Sequence, residues 1–318
     1  MADLSAARGR SAVPDGPAEP RSIVELIQAG TLDAELAATL WVLIAGGVPM
    51  VVAGGEEGIG KSTLLIALVG FLPSRVRRME LTGATESFDW LPQATELGWH
   101  GAAGTGPTSA RPVRDDEPPV RPETTILIIP ELSDHLPSST WGDEARLALR
   151  AASIGYGLAA TTHADGLDEV LDSLHRPPVS ATDDELSRLG AILVLRRVDG
   201  NRRRIVAAHY LRPTARDEHG HVQRLGPAVL ATWDPARDRF EHFGWGINPE
   251  LALRVGLKAG DFEVEVDHRR AFLEGLAAAG TTDPSAVRTA IADYRPLVSP
   301  PRERSTEPSR GPYIPATN

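Results

Sequence analysis

The chain has 318 residues, enough for one large domain or two smaller ones, with 42% hydrophobic and 24% charged residues, as in ordinary globular proteins. The net charge of -10 argues against general binding of polyanions, although a local basic patch stays open. The chain contains no cysteine, which excludes disulfides, thiolate metal sites and a thiol nucleophile, and this composition fits a cytosolic protein.

The first twenty residues are rich in Ala, Gly, Pro and Arg, and we expect them to be disordered. They lack the apolar core of a secretory signal. Residues 21–47 predict a helical lead-in of two helices. We expect Ser22 to cap the first helix and Gly30 to end it, and Thr31 to cap the second, with Asp33 near its positive end.

The stretch from Leu36 to Gly55 carries no charged side chain and is almost long enough to span a membrane. Gly46-Gly47-Val48-Pro49 interrupts it, however, and these residues disfavour a continuous helix. We therefore interpret the stretch as a helix, a turn and a buried strand.

Residues 48–295 predict one α/β domain in which buried strands alternate with helices. The strands are expected at Val48–Ala53, Thr124–Glu131 and Tyr156–Asp165, and a helix follows each of them. A segment rich in Gly, Pro, Thr and Ala at about residues 92–122 predicts a flexible insertion.

The second half of the domain predicts two β-hairpins, which turn at Asp199-Gly200 and near Pro235. Three short C-terminal helices follow, near Pro249–Gly256, Asp267–Gly280 and Asp283–Tyr294. We expect residues 296–318, which are rich in Pro, Arg and Ser, to form a disordered tail.

The segment "GGEEGIGKSTLL" has the spacing of a phosphate-binding loop, Gly55-x-x-x-x-Gly60-Lys61-Ser62. A buried strand precedes it and an apolar helix follows it, so that backbone N–H groups would surround a phosphate at a helix N-terminus. The alternative is a glycine-rich turn between a strand and a helix that binds nothing.

On the binding interpretation, Lys61 reaches the β- and γ-phosphates and the Ser62 hydroxyl binds Mg²⁺. We therefore predict ATP and Mg²⁺ as cofactors. The predicted nucleotide-binding residues are Gly55, Gly58, Gly60, Lys61, Ser62 and Thr63.

Two glutamates, Glu56 and Glu57, lie inside this predicted anion site. They occupy variable positions of the loop, where the backbone faces the phosphates and side chains point outward. Each would weaken anion binding by at most about 1 kcal/mol, mostly screened by salt, so the loop tolerates them.

The candidate catalytic residues are Glu131 and His163, which come at the ends of the second and third predicted strands. Glu131 could orient the attacking water or bind Mg²⁺ through water, which makes Ser62 and Glu131 the candidate metal ligands. His163, beside Thr161 and Thr162, could sense the γ-phosphate or position water. Taken alone, a solvated glutamate and a structural histidine remain alternatives.

The order of these segments resembles the hexameric ATPases of type II and type IV secretion and pilus assembly, above all their tight-adherence pilus branch. The segments "LIQAGTLDAELAATLWVLIAGG" and "VVAGGEEGIGKSTLLIAL" are similar to the family's sequence through its phosphate loop. "IIPELS" is similar to its Walker B segment and "LAATTHA" to its histidine box. The resemblance covers roughly residues 21–295.

This resemblance implies a three-layer, RecA-like P-loop domain that hydrolyses ATP by in-line attack of water. It also implies a homo-hexamer in the cytoplasm, at the inner face of the cell membrane, with a membrane platform protein of a secretion or pilus apparatus as partner. We expect no nucleic-acid partner, because the basic hairpin "RRVDGNRRR" is explained more simply as a charged strand edge.

The chain departs from the family at several positions. Pro130 stands where the family has Gly, Ser133 stands where it has Arg, and only Glu80 and Glu86 approach its aspartate box. Two alternatives therefore stay open: a divergent nucleotide-binding switch or scaffold with little turnover, and an unrelated P-loop kinase. A GTPase is disfavoured because no Asn/Thr-Lys-x-Asp motif is present.

Overall fold

The computed structural model describes residues 21–100, 119–134, 139–216, 222–223 and 225–298. Residues 1–20, residues 101–118 of the predicted insertion and residues 299–318 of the predicted tail lie outside the described residues.

A mixed eight-stranded sheet forms the centre of the protein. Its strands are β1 (Met50–Ala53), β2 (Arg77–Glu80), β3 (Thr125–Ile129), β4 (Gly157–Thr162), β5 (Ala191–Val198), β6 (Arg202–Tyr210), β9 (Ala228–Asp234) and β10 (Arg239–His242). Two further strands, β7 (Ala215–Arg216) and β8 (Val222–Gln223), pair only with each other.

The order across the sheet is β10-β9-β6-β5-β1-β4-β3-β2. The five strands from β5 to β2 are parallel, and β6, β9 and β10 extend the sheet with antiparallel pairs. The two hairpins predicted from sequence, β5–β6 and β9–β10, are both confirmed.

Helices cover both faces of the sheet. They are α1 (Ile23–Gln28), α2 (Ala34–Ala45), α3 (Lys61–Val69), α4 (Gly142–Ser153), α5 (Leu167–His175), α6 (Asp183–Ser187), α7 (Asn248–Arg254), α8 (Ala259–Ala278) and α9 (Pro284–Asp293). Met50 and Val52 of β1 pack in a core with α1–α3 and α7–α9, whereas Val51 and Ala53 pack with α4–α6. The alternation of side chains along the strand thus builds an α/β domain with two cores.

The uncharged stretch near the N-terminus is a helix, a turn and a strand, as predicted, because α2 ends at Ala45 and β1 begins at Met50. Among the described residues, no helix is long and apolar enough to cross a membrane.

The helix caps of the lead-in are confirmed only in part. Ser22 caps α1 in a capping box with Glu25, and Gly30 follows the helix with a φ of 69°. The prediction that Thr31 caps α2 is wrong. Asp33 is the cap, and its carboxylate accepts a hydrogen bond from Leu36 N at 2.9 Å.

The C-terminal helix predicted at Asp267–Gly280 begins eight residues earlier, at Ala259. Asp267 therefore lies inside α8, where it pairs with Arg270 at 3.0 Å and caps nothing. Strand β2 and helix α6 were not predicted, since both are short and largely polar.

Residues 92–100, the start of the predicted flexible insertion, pack against the domain. Leu97 and Trp99 contact the core of α4–α6. The Tyr156 hydroxyl donates to Gln93 Oε1 at 2.8 Å, and Arg150 donates to Leu97 O at 2.8 Å. Apolar packing and the hydrogen bonds from Tyr156 and Arg150 therefore hold this part of the predicted insertion against the domain.

An aromatic cluster around Trp41 joins the lead-in to the C-terminal helices. Trp41 of α2 stacks on Phe71, which follows α3, with ring centroids 4.8 Å apart. Its ring also lies 4.8 Å from that of Tyr294 and under the guanidinium of Arg269, again at 4.8 Å. Stacking and cation–π contacts thus stabilise this packing beyond the contribution from buried apolar area.

Beside this cluster lies a buried ion pair within α8. Arg269 Nε donates to Glu265 Oε1 at 2.8 Å, and both residues are buried. Glu265 also accepts from the Tyr294 hydroxyl at 3.1 Å and from the backbone N–H groups of Leu297 and Val298. The first residues of the predicted tail are therefore attached to the domain.

We predict that Glu265→Ala destabilises the protein by about 3 kcal/mol or more, because it leaves the Arg269 charge buried without its partner. Urea unfolding followed by circular dichroism measures the change. Glu274→Ala, an exposed position on the same helix, serves as the control and should change stability by less than about 0.5 kcal/mol. Equal effects of the two variants would show that the ion pair contributes nothing.

A histidine joins β10 to the start of α2. His242 Nε2 lies 2.8 Å from Asp33 Oδ2, and its Nδ1 lies 3.7 Å from Glu35 Oε1. Burial alone would lower the pKa of His242, but the hydrogen bond to Asp33 and the charges of Asp33 and Glu35 outweigh it, so the pKa is raised.

A raised pKa means that protonated His242 stabilises the fold below the unfolded-state value of about 6.5, and that this contribution is lost as pH rises through the folded-state pKa. We predict that His242→Leu costs about 1 kcal/mol more at a pH of about 5.5 than at about 8.5. Urea unfolding at both pH values measures this, with the exposed His100→Leu as control. A cost independent of pH would contradict the assignment.

Candidate functional site

The predicted site residues gather at the carboxyl edge of the parallel strands. The glycine-rich loop (residues 54–60) joins β1 to α3, Glu131 follows β3 and His163 follows β4. Strand β4 lies between β1 and β3, so both side chains emerge on one side of the loop. This edge is where open α/β sheets bind ligands.

The loop backbone depends on glycine at two positions. Gly58 and Gly60 have φ angles of 64° and 101°, which other residues adopt only with strain. The first hydrogen bond of α3 runs from Leu64 N to Gly60 O at 3.0 Å, so the amides from Gly60 to Thr63 have no acceptor within the helix. The partial positive charge of the helix end and these N–H groups favour an anion.

Gly55 is required for a different reason. A Cβ atom at this position would overlap the carboxylate of Asp165, which packs against the loop backbone. Asp165 is held from both sides, since its N–H donates to Glu169 Oε2 at 2.6 Å and its carbonyl accepts from Arg196 Nη2 at 2.7 Å. Nothing in the sequence had indicated a role for Asp165.

Lys61 is buried under the loop. Its ammonium donates to Gly54 O at 2.8 Å and to Glu56 O at 3.5 Å. Burial lowers the pKa of Lys61, and the negative charges of Glu131 and Glu57 partly oppose that change. The structure therefore brings Glu131 within electrostatic reach of the loop lysine. Ser62, the second residue of α3, is exposed, and Thr63 is half-buried.

Glu131 and His163 form a pair. His163 Nδ1 lies 2.9 Å from Glu131 Oε1, and both side chains are more than four-fifths buried. A proton on Nδ1 would point at the carboxylate and fix both the tautomer and the ring orientation. The structure thus brings together two residues that stand 32 positions apart in the sequence.

The two threonines before His163 hold the segment that carries Glu131. The Thr161 hydroxyl donates to Pro130 O, Leu132 N donates to Thr161 O at 2.7 Å, and the Thr162 hydroxyl donates to Leu132 O at 2.7 Å. Pro130 cannot donate to the strand ladder. The threonine hydroxyls instead donate to the carbonyl groups of Pro130 and Leu132, on either side of Glu131, and so tie this segment to β4.

The arginines of the β5–β6 hairpin contact the loop from its other side. Arg197 Nε lies 3.0 Å from Glu56 Oε2, and Arg203 Nη2 donates to Gly58 O at 3.3 Å. Burial lowers the pKa of Arg203, and the charges of Arg21 and Arg197 lower it further. This contact goes beyond the charged strand edge expected from the sequence, where the opposite charges of the hairpin arginines and the loop glutamates were the only sign of it.

The acids after β2 differ in environment. Glu86 is buried, and its carboxylate accepts hydrogen bonds from Thr82 N at 3.0 Å and Trp90 Nε1 at 2.8 Å. Glu80, the last residue of β2, is exposed. Glu86 therefore shapes its own loop.

Within the described ranges, no group of three or more His, Asp or Glu side chains could hold a metal ion by itself. Mg²⁺ that arrives with a nucleotide needs fewer protein ligands, because phosphate oxygens and waters complete its octahedral shell. One exposed hydroxyl, Ser62, and one carboxylate, Glu131, fit that requirement.

Comparisons with known proteins name no function. No protein-family model matches the chain. An uncharacterized protein of Methanocaldococcus jannaschii is 24% identical over 264 residues, which are 79% of this chain and 90% of that protein. A second uncharacterized protein of the same organism is 24% identical over 282 residues, 86% of this chain but 48% of its own length.

We predict that Thr161→Val destabilises the protein by about 1–2 kcal/mol, because it removes the hydroxyl that donates to Pro130 O without changing the side-chain volume. Urea unfolding measures the loss, and faster hydrogen exchange at the Leu132 amide would locate it. Thr289→Val, which removes an exposed hydroxyl that donates within α9, is the control. An unchanged free energy of unfolding and unchanged exchange would rule out this role for Thr161.

Proposed function

We propose that this chain binds Mg-ATP at the glycine-rich loop and hydrolyses it, as a divergent protein of the secretion and pilus-assembly ATPase type. One observation carries the proposal. Lys61 at the start of α3 and the hydrogen-bonded pair of Glu131 and His163 meet at one edge of the parallel sheet.

Mg-ATP binding would use the backbone amides at the start of α3 and the side chains of Lys61, Ser62 and Glu131. The amides at the start of α3 would donate to phosphate oxygens, and Lys61 would exchange its two loop carbonyls for the β- and γ-phosphates. Ser62, together with Glu131 through water, would hold Mg²⁺, which neutralises charge on the phosphates when bound.

Hydrolysis would depend on Glu131. The His163 ring binds one oxygen of its carboxylate, Oε1, and fixes the orientation of the other. A carboxylate in this position can orient the attacking water and accept its proton, while Lys61 neutralises the charge that develops on the transferred phosphoryl group.

The finer assignment rests on the order of the sequence motifs. The phosphate loop, the strand that ends in Glu131 and the His163 segment follow one another as in the secretion and pilus-assembly ATPases. The α/β sheet with helices on both faces supports a RecA-like domain of this kind. A homo-hexamer, a membrane platform partner and a place at the inner face of the cell membrane belong to the same proposal.

A second candidate function is a nucleotide-dependent switch or scaffold with little turnover. The observation that favours it is Glu86, whose carboxylate is engaged by Thr82 and Trp90 in its own loop. Glu86, one of the two residues that approach the family's aspartate box, therefore stabilises its own loop and does not face the candidate site with a free carboxylate.

We predict that Lys61→Ala weakens ATP binding at least tenfold and abolishes phosphate release, whereas Glu131→Gln keeps ATP binding and lowers kcat by about 10²–10⁴-fold. Titration calorimetry measures binding, and a phosphate-release assay measures turnover. Lys258→Ala replaces the other lysine of the chain, which is exposed beside α8, and should match wild type.

The results separate the two candidate functions. Wild-type turnover no faster than that of Lys61→Ala, combined with Lys61-dependent ATP binding, would favour the switch and exclude the hydrolase. No ATP binding by the wild type would exclude both. Light scattering with and without Mg-ATP tests the hexamer.

A further inference from the structure

The two glutamates of the loop have different surroundings. The Glu56 carboxylate pairs with Arg197 at 3.0 Å. In the part of the chain that the structure describes, Glu57 makes no ion pair, and its charge acts on Lys61 instead. The two adjacent glutamates therefore differ in their electrostatic environment. The guanidinium of Arg197 neutralises the charge of Glu56 but does not pair with Glu57.

Contacts other than the ion pair with Glu56 also hold Arg197 beside the loop. Its Nη1 donates to Asn201 Oδ1 at 3.1 Å across the hairpin turn. It stands opposite Arg203 in the β5–β6 ladder, and β5 itself pairs with β1, the strand that leads into the loop. The sheet therefore fixes the backbone of Arg197 beside the loop, and the hydrogen bond to Asn201 restrains its guanidinium.

The hairpin also contacts the loop backbone. Arg203 Nη2 donates to Gly58 O, and Arg203 Nε is buried without a hydrogen-bond acceptor among the described residues. Arg203 and Arg197 therefore contact the loop from the side of β5 and β6, opposite to the side from which Glu131 and His163 come.

We propose that Arg197 is a positioning residue of the nucleotide site, which neutralises Glu56 so that a loop with an acidic side chain can accept a polyphosphate. This inference rests on the proposed ATP binding. Without Arg197, the Glu56 carboxylate would become a second uncompensated negative charge in the loop, beside that of Glu57, and would add to the repulsion of the incoming phosphates. With Arg197 in place, the Arg197–Glu56 pair carries no net charge. The positive potential of the α3 N-terminus and Lys61 then dominates at the position of the phosphates.

The test is a double-mutant cycle on the affinity for ATP at low salt. Arg197→Gln should weaken binding about three- to fivefold, the size expected for one half-exposed charge near the ligand. Glu56→Gln should bind as well as wild type or better. The double variant Arg197→Gln/Glu56→Gln should bind ATP within about twofold of wild type, because it removes both the repelling carboxylate and the guanidinium that neutralises it.

Glu57→Gln supplies the matched control, since it makes the same charge change one residue away without contacting Arg197. Combined with Arg197→Gln, it should restore clearly less affinity than Glu56→Gln does. Arg197→Lys should keep most of the affinity, and the loss in Arg197→Gln should shrink as salt rises from about 50 to 500 mM, because screening weakens the repulsion.

The outcomes separate this inference from the proposed function. If wild-type ATP binding depends on Lys61 and the double variant is as weak as Arg197→Gln, Arg197 does not act through Glu56 and the inference is wrong. If Arg197→Gln binds like wild type, it is also wrong. If the wild type shows no ATP binding that depends on Lys61, the proposed function is wrong. The proposed role of Arg197 in neutralising Glu56 for ATP binding is then wrong as well.

Discussion

The pairing of β1 with strands on both sides is the constraint on which the rest of the site depends. Its four buried residues, Met50–Ala53, pair with β4 on one side and β5 on the other, both in parallel. Because of this, the glycine-rich loop leaves the sheet between two sets of side chains. Glu131 and His163 come from one side, and the arginines of the β5–β6 hairpin come from the other.

Local patterns were sufficient for much of the architecture. Continuous apolar runs identified β1, β3 and β4, and glycine-rich or Asp-Gly turns identified the loop and the β5–β6 hairpin. The sequence also placed Glu131 and His163 at the ends of two predicted strands, although their meeting at one edge and their direct contact needed the structure. Predicted boundaries failed where two signals competed, as with Thr31 and Asp33, because both can cap a helix and only the backbone decides.

What the sequence could not show were contacts set by the order of strands across the sheet. Arg197 is 141 residues from Glu56 in the chain, and Asp165 reaches Gly55 only because β4 lies beside β1. The same holds for the threonines that hold the segment of Glu131, since their partners lie about 30 residues earlier. Single-sequence patterns describe neighbours along one element, whereas these contacts join elements that are distant in the chain.

The aromatic stack of Trp41 on Phe71 has a mechanical consequence. Helix α3 is a short rigid rod that carries Lys61 at one end, and Phe71 follows directly at the other. Trp41 of α2 stacks on Phe71, and Arg269 of α8 and Tyr294, which follows α9, pack in turn against the Trp41 ring. Any displacement of α3 would therefore be transmitted through the Trp41 ring to α2, α8 and α9 together.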